Sequence, residues 1–273
     1  MECKRIGIIG CGTIGRLLAL HIRDNLKRQY VLAAVASRTH GHAARLGEEL
    51  GVPVLSAAEA VAACDIVVET ASADAMPAIV RAALAARREI VCLSVGGFAL
   101  DAGLLDEVMA ASSPVHVPSG AIAGLDGIRA MREMGLDAVT LTTVKHPRSL
   151  GQMPPLSELI PPTAEEALIM SPEARLLFSG TAEEAIRRFP ANVNVAVSLG
   201  LAGLGFSRTR VRLFADPCAA GTLHHISARA GDCTLETMTR PAPLPQNPRS
   251  SALAMYSVPA LLRGLAANPK LAG

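Results

Sequence analysis

The strongest constraint on what this chain can fold into is Gly10-Cys11-Gly12-Thr13-Ile14-Gly15, set between a short apolar run and a helical pattern. A G-x-G-x-x-G between strand and helix marks the opening of a βαβ unit. Gly10 permits the tight turn, Gly12 lets backbone approach a diphosphate, and Gly15 lets helix and strand pack closely. The N-terminus of the following helix offers backbone N–H groups and the positive end of its dipole to an anion. Glycine turns also arise for packing alone, so the strand-turn-helix context carries the reading. Gly10, Gly12, Thr13, Ile14 and Gly15 are therefore the expected cradle for the phosphates of NAD or NADP.

The rest of the first half keeps the same rhythm. Arg5–Ile9, Val31–Ala36, Asp65–Glu69, Ile90–Leu93 and Val115–Val117 read as buried strands, rich in Val and Ile and ended by turn residues. Helical patterns over Thr13–Lys27, His42–Leu50, Met76–Ala86 and Asp101–Ala111 separate them. That alternation predicts right-handed crossovers and a Rossmann-type, doubly wound parallel sheet covered on both faces.

From about Ala138 the pattern changes. Val139–Val144 reads as a strand, followed by a long passage punctuated by Pro147, Pro154, Pro155, Pro161, Pro162 and Pro172. A loop of that length is either functional or built from short helices. Helical patterns follow at Thr181–Arg188 and Val193–Leu204. The strand candidates Thr209–Ala215, Thr222–Ala230 and Cys233–Thr239 come next, and their close succession suggests an antiparallel meander. The second half is thus expected to be an α+β substrate domain with an antiparallel sheet. A Pro-rich turn precedes a last helix over Ser250–Leu265, in which Pro259 predicts a kink.

Composition narrows the function. Among 273 residues, half are hydrophobic and the formal net charge is +2, with 3% aromatics. Such a chain has material for a large core but little for tracking phosphates or stacking bases, so no nucleic-acid partner is expected. No stretch is apolar enough to predict a membrane span. Met1-Glu2-Cys3-Lys4-Arg5-Ile6 runs into the first strand without a signal-peptide pattern, and the six cysteines lack a Cys-x-x-Cys pair. Reduced thiols, a cytoplasmic location and no metal site are the resulting expectations.

The second strand ends in Ser37-Arg38-Thr39, without the acid that usually holds the ribose 2′-hydroxyl of NAD about 20 residues past the glycines. Ser37 and Arg38 suit a 2′-phosphate instead, so NADP is expected to be accepted at least as well as NAD. Arg38 as an exposed cation stacking on adenine is the plainer alternative. The loops Thr70-Ala71-Ser72, Ser94-Val95-Gly96-Gly97 and Pro118-Ser119-Gly120-Ala121 follow strands whose carboxyl ends line the same crevice. Their small residues allow a flat ring to lie against backbone, although each is equally readable as an ordinary turn.

In the second half, Asn192 suits a helix cap, whereas Asn194 in the first turn is the better candidate to face cofactor or substrate. His224 and His225 are adjacent on a strand and must point to opposite faces. His224 shares its side with Ile226 and Ala228 and looks inward, while His225 looks wet. By periodicity alone, a hydrogen-bonded core histidine is the better reading of His224.

Several segments together resemble the L-aspartate dehydrogenase family. They are Gly7–Gly15, Pro118-Ser119-Gly120-Ala121, Phe178-Ser179-Gly180, Phe189-Pro190-Ala191-Asn192-Val193-Asn194-Val195-Ala196, Ala215-Asp216-Pro217, His224 and Asn247-Pro248-Arg249-Ser250-Ser251. The resemblance implies NAD(P)-dependent oxidation of L-aspartate to iminosuccinate, which hydrolyses to oxaloacetate and ammonia or feeds pyridine nucleotide biosynthesis. It further implies a homodimer, cofactor contacts at Ala121 and Asn194, and His224 as the active-site histidine. Ala71 and Ser72 join the expected cofactor contacts. Ser119, Lys145 and His146 are candidates for the substrate carboxylates, with Arg148 and Arg240 as further cations. The implied organisation is a nucleotide domain, 1–124, completed by a final helix, 250–273, around a substrate and dimerisation domain, 125–249. Two positions depart from the family pattern: Thr222 stands where Asn is frequent, and Asn-Pro-Arg-Ser-Ser replaces Asn-Pro-Lys-Thr-Ser. A dihydrodipicolinate-reductase-like or homoserine-dehydrogenase-like oxidoreductase, or a non-catalytic nicotinamide sensor, would share much of the same pattern. In the implied reaction, a histidine titrating near neutrality would take the amine proton or activate water.

Overall fold

The computed structural model describes residues 3–189 and 194–266, with only the backbone of Pro248 and Arg249. The chain divides into two compact units, Met1–Gly120 with Ala254–Gly273, and Ala121–Leu253.

The first unit is a five-stranded parallel sheet. Its strands are β1 (Lys4–Ile9), β2 (Tyr30–Ala36), β3 (Ile66–Glu69), β4 (Glu89–Cys92) and β5 (Val115–His116), in the order β2-β1-β3-β4-β5. Helices α1 (Thr13–Asn25), α2 (His40–Leu50), α3 (Ala57–Ala63), α4 (Met76–Ala85), α5 (Gly97–Leu100) and α6 (Leu104–Ala110) connect them. The β-branched interiors of β1 and β3, including Ile6, Ile8, Val67 and Val68, are fully buried, as strands covered on both faces require. Because β1 lies between β2 and β3, the strand order reverses there, and the crevice beyond their carboxyl ends is where such sheets bind ligands. Helix α3 escaped the sequence reading. Yet Ser56 and Glu59 form a full capping box, the Ser56 hydroxyl accepting from the Glu59 amide and the Glu59 carboxylate from the Ser56 amide.

The second unit holds α7 (Leu125–Glu133), β6 (Ala138–Lys145), β7 (Arg175–Thr181), α8 (Ala182–Arg188), α9 (Asn194–Ala202), β8 (Arg210–Ala215), β9 (Leu223–Ala230), β10 (Cys233–Thr239), β11 (Pro243–Leu244) and β12 (Asn247–Ser251). Its main sheet runs β10-β9-β6-β8-β7 and is mixed. The meander expected through Thr209–Ala215, Thr222–Ala230 and Cys233–Thr239 does not form. Of those three strands only the last two, β9 and β10, pair with each other, while β6 sits between β8 and β9, parallel to the first and antiparallel to the second. Local pattern marks strands, but their partners are set by long-range pairing.

One face of this sheet packs against α7, α8 and α9 through Ile128, Leu141, Ala185, Leu199, Leu213 and Ile226. The other face carries a smaller cluster, Val144, Ala174, Phe214 and Leu223, covered by Ile169 and Met170 from the Pro-rich passage. That passage is built of three short 3₁₀ turns, at Pro147–Ser149, Leu156–Glu158 and Glu166–Leu168. It is tied to the sheet by Asp216, whose carboxylate accepts from the Ser171 hydroxyl at 2.6 Å and the Ser171 amide at 3.0 Å. Within the Pro-rich turn, β11 pairs antiparallel with β12.

Helix α10 (Ala252–Ala266) runs on through Pro259. Most of it lies in the first unit, where the Tyr30 hydroxyl donates to the Leu262 carbonyl at 2.8 Å and the Gly120 amide donates to Ser257 Oγ at 3.2 Å. Among the described residues no helix is long and apolar enough to cross a membrane.

Candidate active site

The first unit builds an anion cradle from the glycine turn. Gly10 has φ +110°, and a Cβ there would lie 2.5 Å from the Thr70 carbonyl, so only glycine fits both the dihedral and the space. A Cβ on Gly15 would run into the Gly10 carbonyl oxygen, which is how closely α1 approaches the turn. Gly12 faces open space, and α1 begins there with no side-chain cap and no acid in its first turn. Thr13 and Ile14, the first two residues of α1, are half-buried beside it. The turn is fastened on both sides. The Gly10 amide and the Cys11 thiol donate to the Ala36 carbonyl at 2.7 and 3.3 Å, and the Thr70 hydroxyl donates to the Gly10 carbonyl at 2.7 Å. A helix N-terminus with its amides uncapped, reached over a glycine without side chain, fits a dinucleotide diphosphate.

Beyond β2 the Ser37 hydroxyl accepts from the Thr39 amide, and exposed Arg38 reaches across to the loop after β3. Its guanidinium donates to Ser72 Oγ at 3.3 Å and lies 3.6 Å from the Asp74 carboxylate. Ala71 is exposed in the same loop and Ser72 is half-buried. Glu69, which ends β3, is fully buried. Its carboxylate accepts from the Ala71 amide at 2.7 Å and the Ser94 amide at 3.0 Å, bridging the loops after β3 and β4. Burial pushes the Glu69 carboxyl up, countered by hydrogen bonds from Ser94, Ala71 and Leu93. Glu69 and Asp74 were not singled out from sequence. The available signal was an acid closing the apolar run Ile66–Val68, with a second acid five residues on.

Within the second unit, His224 is 6% exposed on β9, on the face turned toward the helices. Its Nδ1 shares a hydrogen bond of 3.0 Å with the hydroxyl of Thr143, the residue opposite it on β6. On its other side stands Thr239 of β10, whose hydroxyl donates to the Ala121 carbonyl at 2.9 Å. Ala121 is thereby held against the end of the strand that neighbours His224. Lys145, two residues beyond Thr143, lies with it on the wall of a largely apolar hollow that also includes Phe178, Phe189, Val195 and Leu213. Burial lowers the Lys145 ammonium, and burial together with the Lys145 charge pushes His224 down to about 4. This corrects the expectation of a histidine titrating near neutrality: the imidazole is neutral at physiological pH because water is excluded and a cation is its neighbour.

The remaining candidates are placed as follows. His146 does not line the hollow; its Nδ1 accepts from the Arg148 amide and caps the first 3₁₀ turn. Ser119 is exposed just ahead of the Gly120 turn. Asn194 opens α9 with its side chain exposed. Asn192 lies outside the described residues. His225, on the opposite face from His224, is half-buried and sits 3.8 Å from Glu236.

Two family models cover most of the chain. "Aspartate dehydrogenase, C-terminal" matches residues 126–265, and "Homoserine dehydrogenase, NAD binding domain" matches residues 10–117. L-aspartate dehydrogenase of Methanococcoides burtonii is 36% identical over 96% of this chain and 97% of its own length. The enzyme of the same name from Methanocella arvoryzae is 38% identical over 95% of this chain and 96% of its own. In fold, the chain is similar to the crystal structure of aspartate dehydrogenase from Thermotoga maritima, with TM-score 0.74 and 98% of each chain covered at 24% identity.

Proposed function

This chain belongs to the L-aspartate dehydrogenase family, and from that premise we infer that it oxidises L-aspartate with NAD or NADP, giving iminosuccinate that hydrolyses to oxaloacetate and ammonia. A nicotinamide dinucleotide supplies the hydride acceptor. Gly10, Gly12, Thr13, Ile14 and Gly15 hold its diphosphate on backbone, with Ser37, Arg38, Ala71, Ser72, Ala121 and Asn194 as further contacts.

The observation that carries the reading is the buried, neutral imidazole of His224, locked at Nδ1 by Thr143 beside the Lys145 ammonium. The substrate amine must lose its proton before its lone pair can form the C=N bond as hydride leaves the α-carbon. With Nδ1 engaged by Thr143, His224 takes that proton at Nε2 and passes it to solvent. The freed Nε2 then takes a proton from the water that adds to the imine carbon, and returns it to the nitrogen as the C–N bond breaks and ammonia departs. Lys145 pairs with a substrate carboxylate, and Ser119 is a further carboxylate contact. Burial is the larger cause of the low His224 value and the Lys145 charge the lesser. Negative charge arriving beside Lys145 offsets the second, so the imidazole becomes a somewhat stronger base once substrate is in place.

The test is L-aspartate-dependent appearance of NADH or NADPH absorbance, with homoserine and other amino acids as controls. Absence of aspartate-dependent reduction would overturn the reading. His224→Ala is expected to lower kcat by roughly 10²–10⁴-fold while fluorescence titration still shows NADH binding, whereas turnover at the parent rate would remove the catalytic role. A homodimer, as the resemblance implies, is part of the same proposal, as is the cytoplasmic location expected from six cysteines without a Cys-x-x-Cys pair, and light scattering in solution checks the dimer.

A further inference from the structure

We propose that Asp74 is a specificity-determining residue, one that sets the balance between NADP and NAD by holding the Arg38 guanidinium away from a cofactor 2′-phosphate. The inference rests on the dinucleotide reading of the first unit and deepens it.

The end of β2 carries no acid for a ribose 2′-hydroxyl and presents Arg38 instead. Arg38 does not stand alone. It spans from the β2 loop to the β3 loop, donating to Ser72 Oγ at 3.3 Å and lying 3.6 Å from Asp74 Oδ2. The Asp74 carboxyl is itself held below the usual carboxylate range by the Ser72 hydroxyl, its own backbone amide and the Arg38 charge, so it is an anion throughout the neutral range. The charge that many NAD sites place on β2 is thus supplied here from the neighbouring loop, already paired with the cation that would recognise a phosphate.

The strength of that pairing decides what it does. Both side chains are largely exposed, and the separation is longer than a good hydrogen bond, so the pair holds Arg38 only weakly. A 2′-phosphate, with more charge and more acceptor oxygens than a carboxylate, takes Arg38 from Asp74, but it then lies close to the displaced carboxylate. NAD leaves the pair intact. Asp74 accordingly penalises NADP without barring it, and Arg38 is the residue through which most of the penalty acts.

Fluorescence titration of the full-length protein with NADH and NADPH reads this directly, alongside kcat/KM for the two oxidised cofactors. Asp74→Asn is expected to shift the NADPH-to-NADH affinity ratio three- to tenfold toward NADPH, with the kcat/KM ratio moving the same way. Arg38→Ala should shift it tenfold or more toward NADH. In the double variant the Asp74→Asn shift should shrink to less than half, and all shifts should fade as salt is raised. An unmoved ratio in Asp74→Asn, or a shift of full size without Arg38, overturns the proposal while the dinucleotide site stands. A protein that binds neither nucleotide overturns both.

Discussion

At the scale of single residues, the informative side chains are those whose surroundings contradict their ordinary chemistry. His224 lies on a strand whose alternation places it inward, and the spacing of Ile226 and Ala228 made that orientation legible. Its partner Thr143 and neighbour Lys145 were not legible as such, because they come from a strand roughly eighty residues earlier in the chain. Their effect on stability has a definite sign. The unfolded imidazole protonates near 6.5 and the folded one only near 4, so between these values the unfolded state binds more protons. The stabilising contribution of the neutral imidazole is therefore complete above 6.5 and is lost as pH falls toward 4. Relative to His224→Gln, the parent protein should lose on the order of 3 kcal/mol of unfolding free energy across that window. Denaturant unfolding at a series of pH values checks this, and parallel curves for the two proteins would refute it.

At the scale of elements, the parallel strands and the glycine turn could be read from sequence because each is a local signal. An apolar run, a turn residue and a 3.6-residue period all lie within a few positions of one another. Most of what escaped was too short for a period to show or decided elsewhere; α7 was missed although Leu125, Ile128 and Met131 recur at helical spacing. Helix α3 spans seven residues and announces itself only through Ser56 and Glu59. Strand β7 lies behind the Pro-rich passage, and β6 enters its sheet between two strands that follow it by some seventy residues or more. The loops after β3 and β4 looked like ordinary small-residue turns, yet the Glu69 carboxylate holds both. Replacing one of its oxygens with an amide N–H₂, as in Glu69→Gln, sets donor against donor at one of those two tethers. Steady-state kinetics should then show a severalfold higher KM for cofactor with the KM for aspartate unaltered. A fall in kcat alone, with both KM values kept, would mark Glu69 as a purely structural residue.

At the scale of the whole molecule, the first unit is discontinuous, because α10 joins strands made at the start of the chain. Sequence pattern showed the helix, and the family resemblance, not the pattern, suggested where it goes. Tyr30 makes that closure specific: it is 2% exposed, and its phenol donates to the Leu262 carbonyl. Tyr30→Phe keeps the ring and removes a hydrogen bond to a carbonyl that also belongs to the ladder of α10, at a cost of about 0.5–1.5 kcal/mol. Calorimetry should show a melting point several degrees lower, while an unchanged melting point would mean that packing alone secures α10.

That closure also orders events during synthesis. A ribosome delivers β1 to β5 early, but the helix that covers Tyr30 emerges only after every residue of the other unit has been made. Until then the first unit lacks the helix that accepts the Tyr30 hydrogen bond, so it is not closed on that side. A stop codon ahead of Ala252 would leave that closure unmade.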